Sequence, residues 1–317
     1  MKRQRFCFKT PALAGVFVCI LLALGGCATP QVSNLVQNWP TDIQARSEIK
    51  EVPFFPQEEY ECGPAALAMV LQTAGVPVFP EQLVEQVYLP GRKGSLQIEL
   101  LAASRRNGLP GYLLQPKLEV VLREVAAGNP VLVLQNLSLA FYPVWHYAVV
   151  IGFDRDRNQL ILHSGRSAHL EMSLFTFERT WARSEYWAMV ALSPTKLPVT
   201  AEPVAFAQSV AALERVNPGA AQTAYATALN QWPTQRAMLL GAGNTAYALG
   251  QLQAAAKAYQ TAVQAHPDFA DVWNNLGQTL LELGRQQQAS AAIARAVALG
   301  GVRLSEYQSL QLKIDAK

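Results

Sequence analysis

The spacing of apolar and polar positions divides the chain into stretches with different periods. From Ala12 to Leu24 the residues are apolar almost without interruption, behind a cluster of Lys2, Arg3, Arg5 and Lys9. That run of about thirteen residues is too short to span a bilayer and matches the apolar core of a secretory signal. From Glu51 to about Leu192 helical and strand periods follow one another. Leu67, Val70, Leu71 and Ala74 stand at i, i+3, i+4 and i+7, predicting a helix that opens near Pro64 and stops at Gly75. Further helices are predicted over Leu96 to Arg106 and Leu118 to Ala127. Short apolar runs at Val131–Leu134, Tyr147–Phe153, Gln159–Leu162 and Tyr186–Leu192 predict strands, with Asp154 to Asn158 as a hairpin turn. Helices first and strands later imply an α+β domain.

Beyond Ser193 the pattern changes again. Residues 193–203 carry three prolines and read as a linker. After it the chain is rich in Ala and Gln and repeats with a period of about 34 residues, the length of a tetratricopeptide repeat. Trp273, Leu276, Gly277, Ala289 and Ala296 fall on the hallmark positions. Leu239, Ala242, Gly243, Ala255, Tyr259, Ala262 and Pro267 fall on them one period earlier. A further step back reaches Ala221, Tyr225, Ala228 and Pro233, behind a degenerate helix near Phe206 to Leu213. Ser305 to Ile314 is expected to cap the stack. Residues 204–317 therefore read as an all-α repeat domain, whose surface suits a protein partner.

The basic and apolar N-terminus ends in Leu24-Gly25-Gly26-Cys27, which resembles the lipobox of bacterial lipoproteins. This predicts a signal peptide over residues 1–26, lipidation of Cys27 and a membrane tether over 27–50. Ala28 favours an outer-membrane location facing the periplasm. Four basic and no acidic side chains leave with residues 1–26, which takes the formal charge from +3 to −1. A nearly neutral mature chain gives no reason to expect nucleic acid. Of the four cysteines, Cys7 and Cys19 depart and Cys27 is the anchor, leaving Cys62 as a lone thiol in an oxidising compartment. Reactivity explains such a residue better than a disulfide does.

Cys62 stands at the start of the first predicted helix of the α+β domain, where backbone N–H groups and the helix dipole stabilise a thiolate. The acidic run Glu58-Glu59-Tyr60-Glu61 opposes that effect, and suits either a basic substrate or a solvated loop. A nucleophilic thiol needs a base and an oxyanion donor. Among four histidines, His266 sits in a repeat turn and His169 reads as loop surface, whereas His146 opens a predicted strand that can hold an imidazole rigidly. Trp145 and Tyr147 flank it. No C-x-x-C or H-E-x-x-H spacing points to a metal, no G-x-S-x-G elbow points to a serine hydrolase, and no phosphate loop points to ATP.

Several segments together resemble the papain-like cysteine peptidases of the bacteriocin-processing, double-glycine-leader group. They are Val52-Pro53-Phe54-Phe55-Pro56-Gln57, Cys62-Gly63-Pro64-Ala65-Ala66-Leu67-Ala68-Met69, Lys93-Gly94-Ser95-Leu96-Gln97, Gly128-Asn129-Pro130-Val131-Leu132-Val133 and His146-Tyr147-Ala148-Val149-Val150-Ile151-Gly152. They occur in the family's order and place a papain-like domain over residues 51–192. The resemblance implies Cys62 as nucleophile, His146 as general base and acid, and Gln57 with the Cys62 N–H as the oxyanion hole. The chain departs from the family where relatives carry an orienting Asp or Asn, for here the stretch reads Leu160-Ile161-Leu162-His163-Ser164-Gly165. His163, Ser164 or a backbone carbonyl is left to orient the imidazole. The departure sets an active peptidase, acting on a peptide or protein without cofactor, against a degenerate peptidase-like binding module or scaffold. The repeats and single apolar segment also set the chain apart from the family's exporters.

Overall fold

The structure is a computed structural model that describes residues 29–57 and 61–315. The expected signal peptide, Cys27 and most of the acidic run before Cys62 lie outside the described residues. The first domain is a sheet-containing α+β unit. In chain order its elements are α1 (Pro30–Gln37), β1 (Arg46–Glu48), α2 (Cys62–Thr73), α3 (Pro80–Val87), β2 (Tyr88–Leu89) and β3 (Gly94–Ser95). Then come α4 (Gln97–Arg106), β4 (Gly111–Leu113), α5 (Leu118–Ala126), β5 (Val131–Asn136), β6 (Trp145–Asp154), β7 (Gln159–Ser164), β8 (Ser167–Ser173), α6 (Leu174–Ala182) and β9 (Ala188–Ala191). The main sheet runs β4-β9-β5-β6-β7-β8, and β1 pairs with the far end of β6. All of these pairings are antiparallel.

Every residue of α2 from Gly63 to Leu71 is buried. The predicted apolar stripe is thus part of a helix apolar on all sides, which only a fully enclosed position stabilises. It packs mainly on β6 and α3. Strands β5 and β6 are buried along nearly their whole length, as a central pair must be. The sheet is larger than the sequence analysis expects: it adds β1, β4 and β8, the last a mostly exposed edge strand in which Ala168, Leu170 and Met172 alternate with polar residues.

Residues from Thr29 onward do not form a loose tether. Val32, Leu35, Ile43 and Ile49 are buried in the main core. The buried Glu178 carboxylate accepts the N–H of Gln31 at 3.0 Å and of Val32 at 2.7 Å, occupying the positive end of α1. Strand β1 then joins the sheet through Ser47 opposite Phe153. Four apolar residues among polar ones gave too weak a period to read, yet tertiary burial organises the segment.

The proline-rich connection is also fastened down. Glu124, fully buried, accepts the Thr200 N–H at 2.8 Å, the Thr200 hydroxyl at 2.6 Å and the Asn129 amide at 2.6 Å. Lys196 Nζ donates to Asn129 Oδ1 at 2.6 Å, and the Glu202 N–H donates to the Tyr112 hydroxyl at 3.0 Å. Helices α7 (Pro203–Glu214), α8 (Pro218–Gln231), α9 (Arg236–Ala248), α10 (Leu252–Ala265), α11 (Ala270–Glu282) and α12 (Gln286–Leu299) follow as pairs, closed by α13 (Leu304–Asp315). Ala221, Tyr225, Ala228, Ala255, Tyr259, Ala262, Ala289 and Ala296 are buried where the paired helices cross. Two apolar cores result. One runs from Val32 through the sheet into Met238, and the other from Leu239 to Ile314.

Candidate active site

Cys62 is the first residue of α2, and its thiol is half-buried. Gly63 follows because no larger residue fits. A Cβ there would lie 2.4 Å from Ser95 Oγ, so the start of the helix presses against β3. Backbone N–H groups of Tyr147, Gly63 and Cys62 itself lie close enough to the sulfur to favour its charged form. The start of α2 thus packs against β6 at Tyr147, the residue after His146, although more than eighty residues separate the two in the chain. The ring of Tyr147 is buried, lies edge-on to Trp187 at 5.8 Å between centroids, and donates its hydroxyl to the Ser95 carbonyl at 3.2 Å.

The Nε2 atom of His146 is 2.8 Å from Ser164 Oγ. Of the alternatives the sequence left open, His163, Ser164 or a backbone carbonyl, it is Ser164, at the end of β7, that meets the His146 ring. His163 does not share that contact. Successive strand residues point to opposite faces, and His163 Nε2 instead donates to the Val52 carbonyl at 3.1 Å, with Phe54 edge-on to its ring at 5.3 Å. His163 thus fixes the strand leading to Gln57. Asp154 is engaged elsewhere, 2.5 Å from Arg46 Nη2 and accepting the Arg157 N–H at 3.1 Å.

Gln57 is buried and held at both ends of its amide. Its Oε1 accepts the Gly165 N–H at 3.0 Å, its Nε2 donates to the Tyr147 carbonyl at 3.2 Å, and its own N–H donates to the Gly165 carbonyl at 3.0 Å. One amide proton is spent on Tyr147 and the other remains for a ligand oxygen. Gly165 turns the chain at φ +59°, a left-handed conformation that glycine adopts without strain. The two-residue corner Ser164-Gly165 consequently sets both the imidazole and the glutamine amide. Sequence reading missed Gly165 and the Tyr147 N–H, because backbone contacts leave no trace in residue type. Ser95, whose buried hydroxyl has no partner, was visible only inside the Lys93-Gly94-Ser95 motif.

Electrostatics correct one expectation. Burial pushes the Cys62 thiol above its ordinary value and outweighs the backbone N–H groups aimed at it. Burial also holds the His146 imidazole below its ordinary value. At the thiol, burial therefore outweighs the help that the helix start gives a thiolate.

The family model described as "Peptidase_C39 like family" matches residues 49–189. Models for the tetratricopeptide repeat match residues 243–284 and 270–299. The chain carries a C39-peptidase-like α+β domain followed by tetratricopeptide repeats. Among solved structures it is similar to a protein from Bacillus anthracis described as a C39-like peptidase, at 18% identity and a TM-score of 0.39, over 47% of this chain and 98% of that one. It is also similar to a double glycine motif protease from an AMS/PCAT transporter, solved with the leader peptide, at 24% identity and a TM-score of 0.35, over 47% of this chain and 98% of that one. No curated protein matches the chain.

Proposed function

We propose that this chain, a C39-peptidase-like domain carrying tetratricopeptide repeats, is a lipid-anchored cysteine peptidase that uses Cys62, His146, Ser164 and Gln57. The observation that carries the reading is the Ser164-Gly165 corner, which holds His146 at 2.8 Å and Gln57 at 3.0 Å while Tyr147, the residue after His146, lies against the start of α2. With Nε2 bound to Ser164, Nδ1 is the nitrogen left to accept the thiol proton. As it does so, sulfur attacks the peptide carbonyl and the C–S bond forms. The oxyanion accepts hydrogen bonds from the spare Gln57 Nε2–H and the Cys62 N–H. The imidazolium returns its proton to the leaving nitrogen, the C–N bond breaks, and water then hydrolyses the thioester by the same route reversed.

A neutral serine stabilises the imidazolium less than a carboxylate does, so this peptidase should turn over slowly without being inert. The competing reading is a binding module that has lost turnover, and it draws on the same absent carboxylate. Incubating the full chain with a fluorogenic peptide library separates the two. Hydrolysis abolished by Cys62→Ala and by His146→Ala supports the peptidase, whereas a wild type that cleaves nothing while its thiol still alkylates supports the module.

The repeats supply a docking surface for a protein partner or substrate. A cavity of about 510 Å³ lined by Asn244, Tyr247, Asn275, Gln278 and Lys313 lies in the repeat domain, not beside Cys62. Its polar lining suits the main chain of an extended segment. Anchoring at Cys27 on the periplasmic face of an outer membrane rests on the Leu24–Cys27 motif. Among the described residues no helix is long and apolar enough to cross a membrane. Incorporation of labelled palmitate, lost in Cys27→Ser, tests the anchor.

A further inference from the structure

Between β5 and β6 the chain turns through Leu137-Ser138-Leu139-Ala140-Phe141-Tyr142-Pro143-Val144, immediately before Trp145 and His146. A surface loop ordinarily shows polar side chains to water. This one does the reverse. It contains no charged residue, and Phe141 is 84% and Tyr142 72% exposed. Leu137, Leu139, Val144 and Trp145 are exposed as well.

Its backbone, by contrast, is turned inward. The buried side chain of Asn136 accepts the N–H groups of Ser138 and Val144 at 3.0 Å each and donates to the Leu139 carbonyl at 3.3 Å. The Leu137 N–H donates to the Val144 carbonyl at 2.9 Å, and the Tyr142 N–H to the Leu139 carbonyl at 3.1 Å. Pro143 has no N–H to satisfy. A loop that satisfies much of its backbone at the root and displays aromatic and aliphatic side chains at its tip is suited to the boundary between water and lipid. Trp, Tyr and Phe are the side chains that favour the headgroup boundary.

We propose that the 137–145 loop inserts into the surface layer of a lipid bilayer and holds the mouth of the His146 site against it. A lipid surface is favoured by the chain's own course, on the anchoring proposed above: α1 follows directly on the segment that holds the apolar run Ala12–Leu24 and Cys27. The start of α1 is fixed to α6 by Glu178. The root of the loop is fixed to the end of that same helix, where Arg183 Nη1 donates to the Asn136 carbonyl at 3.2 Å and Ser184 Oγ to the Leu134 carbonyl at 2.5 Å. Five residues of helix rise only about 7.5 Å, so the N-terminal segment and the apolar tip are mounted on one short support. The alternative occupant is an apolar peptide. It fits less well, because the most exposed side chains stand on a protruding turn instead of lining a groove.

The test places the full chain in phosphatidylethanolamine and phosphatidylglycerol vesicles whose acyl chains are brominated near the headgroup, and reads tryptophan quenching. The expected result is that Trp145→Phe removes most of the quenching, and that Phe141→Ser/Tyr142→Ser lowers it severalfold with an unchanged circular dichroism spectrum. Equal quenching of the wild type and both variants overturns the proposal. So does a loop that a soluble apolar peptide, but not lipid, protects from thermolysin; that outcome assigns the surface to peptide. The readout needs no peptidase activity, so it stands or falls separately from the function of Cys62.

Discussion

At the residue scale the site turns on what a hydroxyl does where a carboxylate would hold an imidazolium. Ser164 bonds His146 but adds no negative charge, and burial disfavours the charged ring. Replacing Ser164 with Ala should lower kcat about tenfold, worth about 1.4 kcal/mol, with little change in KM, and Thr should restore it. Ser164→Asp makes the sharper test. A carboxylate beside Nε2 should raise the His146 pKa and favour the thiolate-imidazolium pair. Iodoacetamide labelling of Cys62 should then extend to lower pH than in the wild type, whose thiol is pushed up by burial and should react only on the alkaline side of an ordinary cysteine. The acid limb of wild-type kcat/KM should lie below the ordinary histidine value, because His146 must lose its proton to act and burial makes that loss easier. Labelling rates and pH-rate profiles read both shifts. The sequence puts forward Cys62, His146 and Gln57 because each sits in a local motif. The choice between His163 and Ser164 is not legible there. Adjacent strand residues face opposite ways, and only the register with β6, where Val149 stands opposite His163, decides which one meets the imidazole.

At the element scale, two buried carboxylates hold segments that composition alone presents as loose. Glu178 fixes α1, and Glu124 fixes the proline-rich connection. Glu124→Ala leaves the Thr200 N–H and hydroxyl and the Asn129 amide without their acceptor. It should cost about 3 kcal/mol, seen as a lower melting temperature and as new protease cleavage between residues 193 and 203. Glu178→Ala should act locally. Hydrogen exchange should speed up across residues 30–37 while Cys62 keeps its reactivity, since α1 lies apart from the α2–β6 junction. The predicted helices and buried strands carried strong periods and were readable. Strand β8 and α1 were passed over, although each carries a short pattern, Ala168, Leu170 and Met172 in one and Val32, Leu35 and Val36 in the other. Three small or scattered apolar residues in a polar stretch stand out only once the sheet edge and Glu178 are in place.

At the scale of the whole molecule, the boundary drawn by composition and the boundary drawn by packing differ. Composition changes at residues 193–203, yet the first apolar core continues past that point. Phe206, Ala207, Val210 and Leu213 of α7 are buried in it, with Phe206 6.1 Å from the ring of Tyr112 and 6.3 Å from that of Trp232. The break between cores falls at Met238 and Leu239, inside the repeats. The first helix pair therefore belongs energetically to the sheet domain and serves as the footing on which later repeats stack. A chain truncated after residue 202 should be insoluble or strongly destabilised, because it uncovers Tyr112 and the apolar surface around it. One truncated after Trp232 should melt cooperatively with the Cys62 site intact. Scanning calorimetry of the full chain should show two transitions, and truncation after Trp232 should remove only the one belonging to residues 239–314. If truncation after 202 instead leaves a stable domain with native thiol reactivity, the shared core contributes little. The repeats would then be free to move relative to the sheet, and a partner bound in their groove would have no fixed geometry with respect to Cys62.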